Sequence, residues 1–183
     1  MNAVKKDEIF TIDNIFALPD DVRAELIDGE IYYMSPTPTS NHQRLVHFFD
    51  RLIGNYIYEK NGPCEVFPAP FSVFLDDDIY TYLEPDISVI CNPDKIDDKG
   101  CHGAPDWIIE IVSPSNRQHD YMIKQYKYRD AGVREYWIVD IEKNRITVYN
   151  FEHETMGEYS FNDTVKAGIY EDLEIDFTQV RIS

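Results

Sequence analysis

Apolar side chains at Leu45, Phe48, Phe49, Leu52, Ile53, Tyr56 and Ile57 recur at the three-and-four spacing of one helical face. With Ser40 as N-cap and Asn61-Gly62 as a stop, this pattern predicts a long helix from Ser40 to Lys60. Two short β-branched runs, Asp86-Ile87-Ser88-Val89-Ile90-Cys91 and Trp107-Ile108-Ile109-Glu110-Ile111-Val112, read as buried strands, as does Glu135 to Asp140. Residues 92–105 read as a polar loop, and 117–131 as a helix closed by Gly132. Residues 11–27 read as one or two short helical pieces interrupted at Pro19, and Glu25 to Tyr33 as two strands around Asp28-Gly29, a tight-hairpin dipeptide. Cys64 to Leu75 reads as a strand pair or bent strand, irregular at its prolines. Arg145 to Phe151 and Leu173 to Phe177 read as antiparallel strands. The order strand, strand, helix, strand predicts an α/β (α+β) fold: a mixed β-sheet flanked by helices, with an antiparallel C-terminal extension.

Length adds one bound. A chain of 183 residues is one domain, here taken as 1–183, and is large enough to need no metal or disulfide staple. Three cysteines without metal spacing predict no disulfide framework and a reducing compartment. The polar start, with no run near the ~20 apolar residues of a membrane span, predicts a cytoplasmic protein without a membrane partner.

Charge changes the picture more. Seventeen Lys and Arg against 34 Asp and Glu leave a net −17, which repels phosphate backbones at long range. Activity on nucleic acid therefore requires a local basic strip or metal ions. The chemistry of interest is in acids placed where apolar residues would cost less: Asp86 opens the first buried strand after Pro85, and Glu110 sits inside the second. A carboxylate in such surroundings demands a partner or a metal. Magnesium takes oxygen ligands, one or two carboxylates with water and phosphate, so Asp86 and Glu110 form a candidate site for Mg²⁺ or Mn²⁺. Asp106 stands only four residues before Glu110 on the same strand, so Asp86 is the preferred partner. A lysine would stabilise the transition state. The strand position beside Glu110 holds Val112, leaving Lys124 or Lys127 on the following helix, with Arg117 a further substitute. Asp120, Lys124 and Tyr128, four apart, share a helical face.

The ordered set Glu25-Leu26-Ile27-Asp28-Gly29-Glu30, Pro85-Asp86-Ile87-Ser88-Val89, Ala104-Pro105-Asp106, Ile109-Glu110-Ile111-Val112-Ser113-Pro114-Ser115, Asp120 with Lys124 and Tyr128, and Gly132 to Asp140 resembles the Uma family of restriction-endonuclease-like proteins, over about residues 11–150. That family is placed in the PD-(D/E)XK nuclease superfamily. The resemblance implies Asp86 as the PD acid, Glu110 as the second acid, Glu25 as the upstream acid, and Lys124 as a lysine moved from the strand to the helix. It implies metal-dependent cleavage of DNA, with Asp86, Glu110, Lys124 and Glu25 catalytic and the first two binding metal.

Two other classes stay open. The charge and the absent strand lysine fit a non-catalytic nuclease-fold interaction module, and paired carboxylates also occur in glycoside hydrolases. His42, at the start of the long helix where backbone N–H groups favour anions, could touch a phosphate or the metal shell but is read as a surface histidine, and Asp76-Asp77-Asp78 as a solvated turn. Glu135-Tyr136-Trp137 reads as strand packing. Leu173-Glu174-Ile175-Asp176-Phe177 reads as an exposed apolar strand and so predicts a homodimer. Loss of Lys124 is expected to leave fold stability nearly unchanged.

Overall fold

The computed structural model describes residues 8–34, 37–75, 79–112 and 119–182, and of 119 and 120 the backbone alone. The Asp76–Asp78 cluster, Arg117 and the side chain of Asp120 therefore lie outside the described residues. A short helix α1 (Ile12–Phe16) leads into the hairpin β1 (Ala24–Ile27) and β2 (Glu30–Tyr33). Asp28 and Gly29 both take positive φ, 52° and 83°, as the tight turn between these strands requires. Helix α2 (Ser40–Lys60) follows, capped by the Thr39 hydroxyl on the His42 amide, one residue earlier than the sequence suggests.

The main sheet has six strands: β3 (Glu65–Pro68), β5 (Ile87–Ile90), β8 (Trp107–Val112), β9 (Glu135–Asp140), β10 (Arg145–Asn150) and β11 (Thr155–Tyr159), in the order β11-β10-β9-β8-β5-β3. Only β8 and β9 run parallel. Helix α3 (Gln125–Ala131) lies on the crossover between them and is preceded by a π-helical turn, His119–Lys124. The mixed α+β architecture is the one expected. Residues 92–105 are more than a loop. Strands β6 (Ile96–Asp97) and β7 (Gly100–His102) form a hairpin that adds β4 (Val73–Phe74) to make a small sheet. Two- and three-residue strands are too short to print a period on the sequence.

Strand alternation divides the core. Ile87, Val89, Trp107, Ile109, Ile111, Trp137 and Val139 face α2, where Leu45, Phe48, Phe49 and Ile53 meet them. Ile90, Ile108, Val112, Tyr136 and Ile138 face the other way, with Tyr128 of α3. Every residue of β8 and β9 is buried, as strands covered on both faces must be.

Two expectations are overturned. Cys64 and Cys91 continue the β3–β5 register by one step beyond Glu65 and Ile90, and they form a disulfide. Their separation of 27 residues along the chain hides a cross-strand pair. The C-terminal strand is not exposed either. Strands β12 (Thr164–Lys166) and β13 (Glu174–Asp176) place Val165, Leu173, Ile175 and Phe177 in the α2 face of the core. Phe177 contacts Phe48, Phe49, Phe161 and Trp137. This burial removes the ground on which a homodimer is expected. Among the described residues no helix is long and apolar enough to cross a membrane.

Phe177→Ala should cost about 3–5 kcal/mol of stability, the usual range for emptying an aromatic core position. Chemical denaturation would show a lowered midpoint at unchanged slope; a wild-type midpoint would mean that the C-terminal segment docks only loosely.

Candidate active site

Three chain segments converge at one end of the β5–β8 pair. The last β5–β8 partners are Ile87 and Ile109, so beyond them β8 has an unclaimed amide facing β5. The Asp86 carboxylate takes it: Ile111 N–H donates to Asp86 Oδ2 at 2.8 Å. This hydrogen bond fixes Asp86 beside the backbone that follows Glu110. Its other oxygen, Oδ1, lies 3.1 Å from His42 Nε2 in the first turn of α2.

Glu110 shares the sheet face of Ile108 and Val112 and so points toward α3. There Glu110 Oε1 receives the Lys124 ammonium at 2.9 Å and the Tyr128 hydroxyl at 2.9 Å. The same ammonium donates to Glu25 Oε1 at 2.8 Å. Glu25 also accepts from the Glu84 backbone amide at 3.2 Å, which ties β1 to the segment carrying Pro85-Asp86. Lys124, Glu25 and Glu110 are all about 95% buried, at 4%, 4% and 5% exposure. The burial answers the question raised by an acid in an apolar strand, because each carboxylate has a charged partner.

Glu25, Glu84, Asp86, Glu110, Lys124, His42 and Arg23 line one cleft of about 130 Å³. All four predicted site residues therefore meet there. Lys127 does not; it pairs with Asp28 on the β1–β2 turn. Asp106 is also elsewhere, accepting from Cys91 N–H at 2.7 Å and lying 3.3 Å from Arg134 Nη1. His42, expected at the surface, belongs to the cleft. The sequence carries part of the signal, since His42 falls in the first turn of the predicted helix, but nothing local tells which strand end that turn faces. Burial lowers the His42 pKa, but the hydrogen bond and charge of Asp86 outweigh it and the net shift is upward.

Glu135 is a further buried acid that the strand-packing reading underrates. It is fully buried; Oε1 accepts from Trp137 Nε1 at 2.6 Å and Oε2 from Ile169 N–H at 2.8 Å. Burial raises its pKa despite these donors. Its role is to fasten the 168–169 segment to β9, away from the cleft.

A mixed sheet with α2 on one face, α3 on the other and acids at the β5 and β8 ends defines a restriction-endonuclease-like protein. The chain matches the Uma2 family, described as "Putative restriction endonuclease", over residues 12–178, and it belongs to that family. The match runs past residue 150, through the C-terminal strands. A crystal structure titled as a putative nuclease belonging to DUF820, from Anabaena variabilis ATCC 29413, is similar with a TM-score of 0.70 at 21% identity. The similarity covers 87% of this chain and 90% of that one. No curated protein matches the chain.

The buried Lys124 reverses one expectation. Removing it leaves two buried carboxylates without their cation, so Lys124→Met should destabilise the fold by about 3–5 kcal/mol rather than leave it unchanged. An unchanged thermal midpoint would show that water already solvates this trio.

The His42–Asp86 pair sets a pH dependence. A raised folded pKa means that this contribution to stability is full below the unfolded value of 6.5 and is lost as pH rises through the higher folded value. In metal-free protein, the His42 imidazole followed by NMR should titrate above 6.5 and fall back in Asp86→Asn. A midpoint at or below 6.5 in the wild type would contradict the pairing.

Proposed function

We propose that this protein is a divalent-metal-dependent endonuclease that hydrolyses DNA phosphodiester bonds, with Mg²⁺ or Mn²⁺ held by Asp86 and Glu110. The observation that carries this reading is the cleft in which Asp86, Glu110, Glu25 and Lys124 meet. The donor set fits such an ion: two carboxylates, oxygen-only and lining one cleft. Among the described residues no group of three or more His, Cys, Asp or Glu side chains could hold a metal ion by itself. Magnesium takes one or two carboxylates, so water and phosphate would have to complete the shell that Asp86 and Glu110 begin. When bound, the ion would lower the pKa of a coordinated water and neutralise charge on the phosphate being cleaved.

The side chains divide the remaining work. The Ile111 amide and His42 orient Asp86. Tyr128 and Lys124 orient Glu110. Lys124, paired with the second acid, would hydrogen-bond an attacking water or a phosphate oxygen, while Glu25 also holds its ammonium. Because these groups are fixed before substrate arrives, they need no reorganisation in the transition state.

The test is plasmid cleavage with Mg²⁺ or Mn²⁺ and with neither. Glu110→Gln and Asp86→Asn should abolish metal-dependent cutting, and calorimetric Mn²⁺ binding should weaken in both. Lys124→Met, assayed below its own melting temperature, should lose about 10²–10³ in rate, while Lys127→Ala cuts as the wild type does. If the wild type cuts no DNA with either ion, a non-catalytic interaction module becomes the better reading, one that the −17 net charge favours.

A further inference from the structure

The cleft holds a second cation that this mechanism leaves unused. Lys124 is enclosed by Glu25 and Glu110, its side chain 5% exposed, whereas the Arg23 side chain on the same cleft is 44% exposed. Arg23 is held in place. Its Nε donates to Glu84 Oε2 at 2.9 Å, and its Nη2 reaches the same oxygen. Glu84 Oε1 accepts from the Tyr82 hydroxyl at 2.7 Å, and that hydroxyl lies 3.0 Å from Ser72 Oγ. Burial first, then Glu84 against the opposing Ser72 bond, pushes the Tyr82 phenol up to about 12, so it remains a donor at neutral pH.

Two of the five guanidinium N–H groups go to Glu84, and three remain for a ligand. The cleft wall also sets a charge problem. Glu25, Glu84, Asp86 and Glu110 line it, with His42 on Asp86, and these four carboxylates outnumber the Lys124 and Arg23 charges that pair with them. An arriving phosphodiester meets an excess of negative charge, and among the described lining residues Arg23 is the solvent-accessible guanidinium or ammonium.

We propose that Arg23 is the phosphate-binding residue of this cleft, gripping a non-bridging oxygen of the nucleic-acid backbone, with Glu84 and Tyr82 as positioning residues that aim its fork. The inference rests on the nuclease reading above. A planar fork suits bidentate contact with phosphate, which a lysine at this place would not reproduce. The contact is with backbone and not base, so it predicts affinity without sequence preference.

The experiment has a binding arm and a turnover arm. Fluorescence anisotropy of a labelled DNA duplex, with Ca²⁺ replacing Mg²⁺, should show Arg23→Ala weakening binding by about 10- to 100-fold, the range for a hydrogen bond to a charged group. The weakening should be alike on unrelated sequences, and the salt slope should fall by about 1. Arg23→Lys should recover the slope but only part of the affinity. In turnover with Mg²⁺, Tyr82→Phe should raise KM about 2- to 10-fold and leave kcat in place. Thermal melts establish that each variant is folded, and Arg23→Lys and Tyr82→Phe carry the test if Arg23→Ala is not. Wild-type affinity and slope in the folded Arg23 variants, with cleavage intact, would overturn the role of Arg23 and leave the nuclease reading standing. A wild type that neither binds nor cuts DNA would overturn that reading, and this inference with it.

Discussion

One buried ammonium organises the cleft. Lys124 joins Glu25, near the start of the chain, to Glu110, in the middle of the sheet, across 99 and 14 residues of sequence. Without it, two carboxylates in apolar surroundings would repel each other, and each would carry a desolvation cost of several kcal/mol. With it, the β1–β2 hairpin, the central strand and the turn before α3 are bound at one point. The trio remains one charge short of neutrality, and Asp86 adds another negative charge beside it. The same excess that makes the site costly to fold is what would draw in a divalent cation.

The place of that lysine follows from the sheet. Side chains on β8 alternate, so Glu110 shares its face with Ile108 and Val112 and looks toward α3. Val112 is packed in the core with Ile108, Ile138 and Tyr128, and a lysine there would have to displace apolar contacts on both sides. The π-helical turn and α3 lie over the same face. From there Lys124 and Tyr128 both reach one oxygen of Glu110. A cation supplied by the helix thus occupies the neighbourhood that a strand lysine would otherwise fill, and the apolar face stays intact.

What could be read from the sequence divides along physical lines. The long helix, the three buried strands and the Asp28-Gly29 turn announce themselves because period and turn chemistry are local. Asp86 and Glu110 stand out because charge among β-branched neighbours is anomalous in the sequence itself. Glu25 and Lys124 came from the family's ordered motifs, and the structure brings both to Glu110. What stayed hidden depends on register or long-range packing. Cys64 and Cys91 meet because two strands pair at one register and no other. His42 meets Asp86 because the N-terminus of α2 crosses the end of β5. Leu173, Ile175 and Phe177 look like an exposed edge until α2 and Trp137 are placed against them. Arg23 stands two residues from Glu25 in sequence, yet it binds Glu84, 61 residues away.

The distribution of cations bears on how a protein of net charge −17 could engage a polyanion at all. Lys60 pairs with Asp172, Lys127 with Asp28, Arg134 with Asp106 and Glu152, and Arg145 with Glu158. Each of these cations already has a carboxylate partner, so among the described residues they add little net positive charge of the kind that steers DNA-binding proteins along a duplex. At physiological salt the repulsion between protein and DNA is screened beyond about 8 Å, so the charge does not forbid contact, but it does not promote it either. Recognition would then be decided over the last few ångströms. On the proposed reading, Arg23 and a metal ion at the Asp86–Glu110 cleft would meet the backbone there, and the same carboxylate excess that repels DNA at a distance would hold the ion that attracts its phosphate at contact.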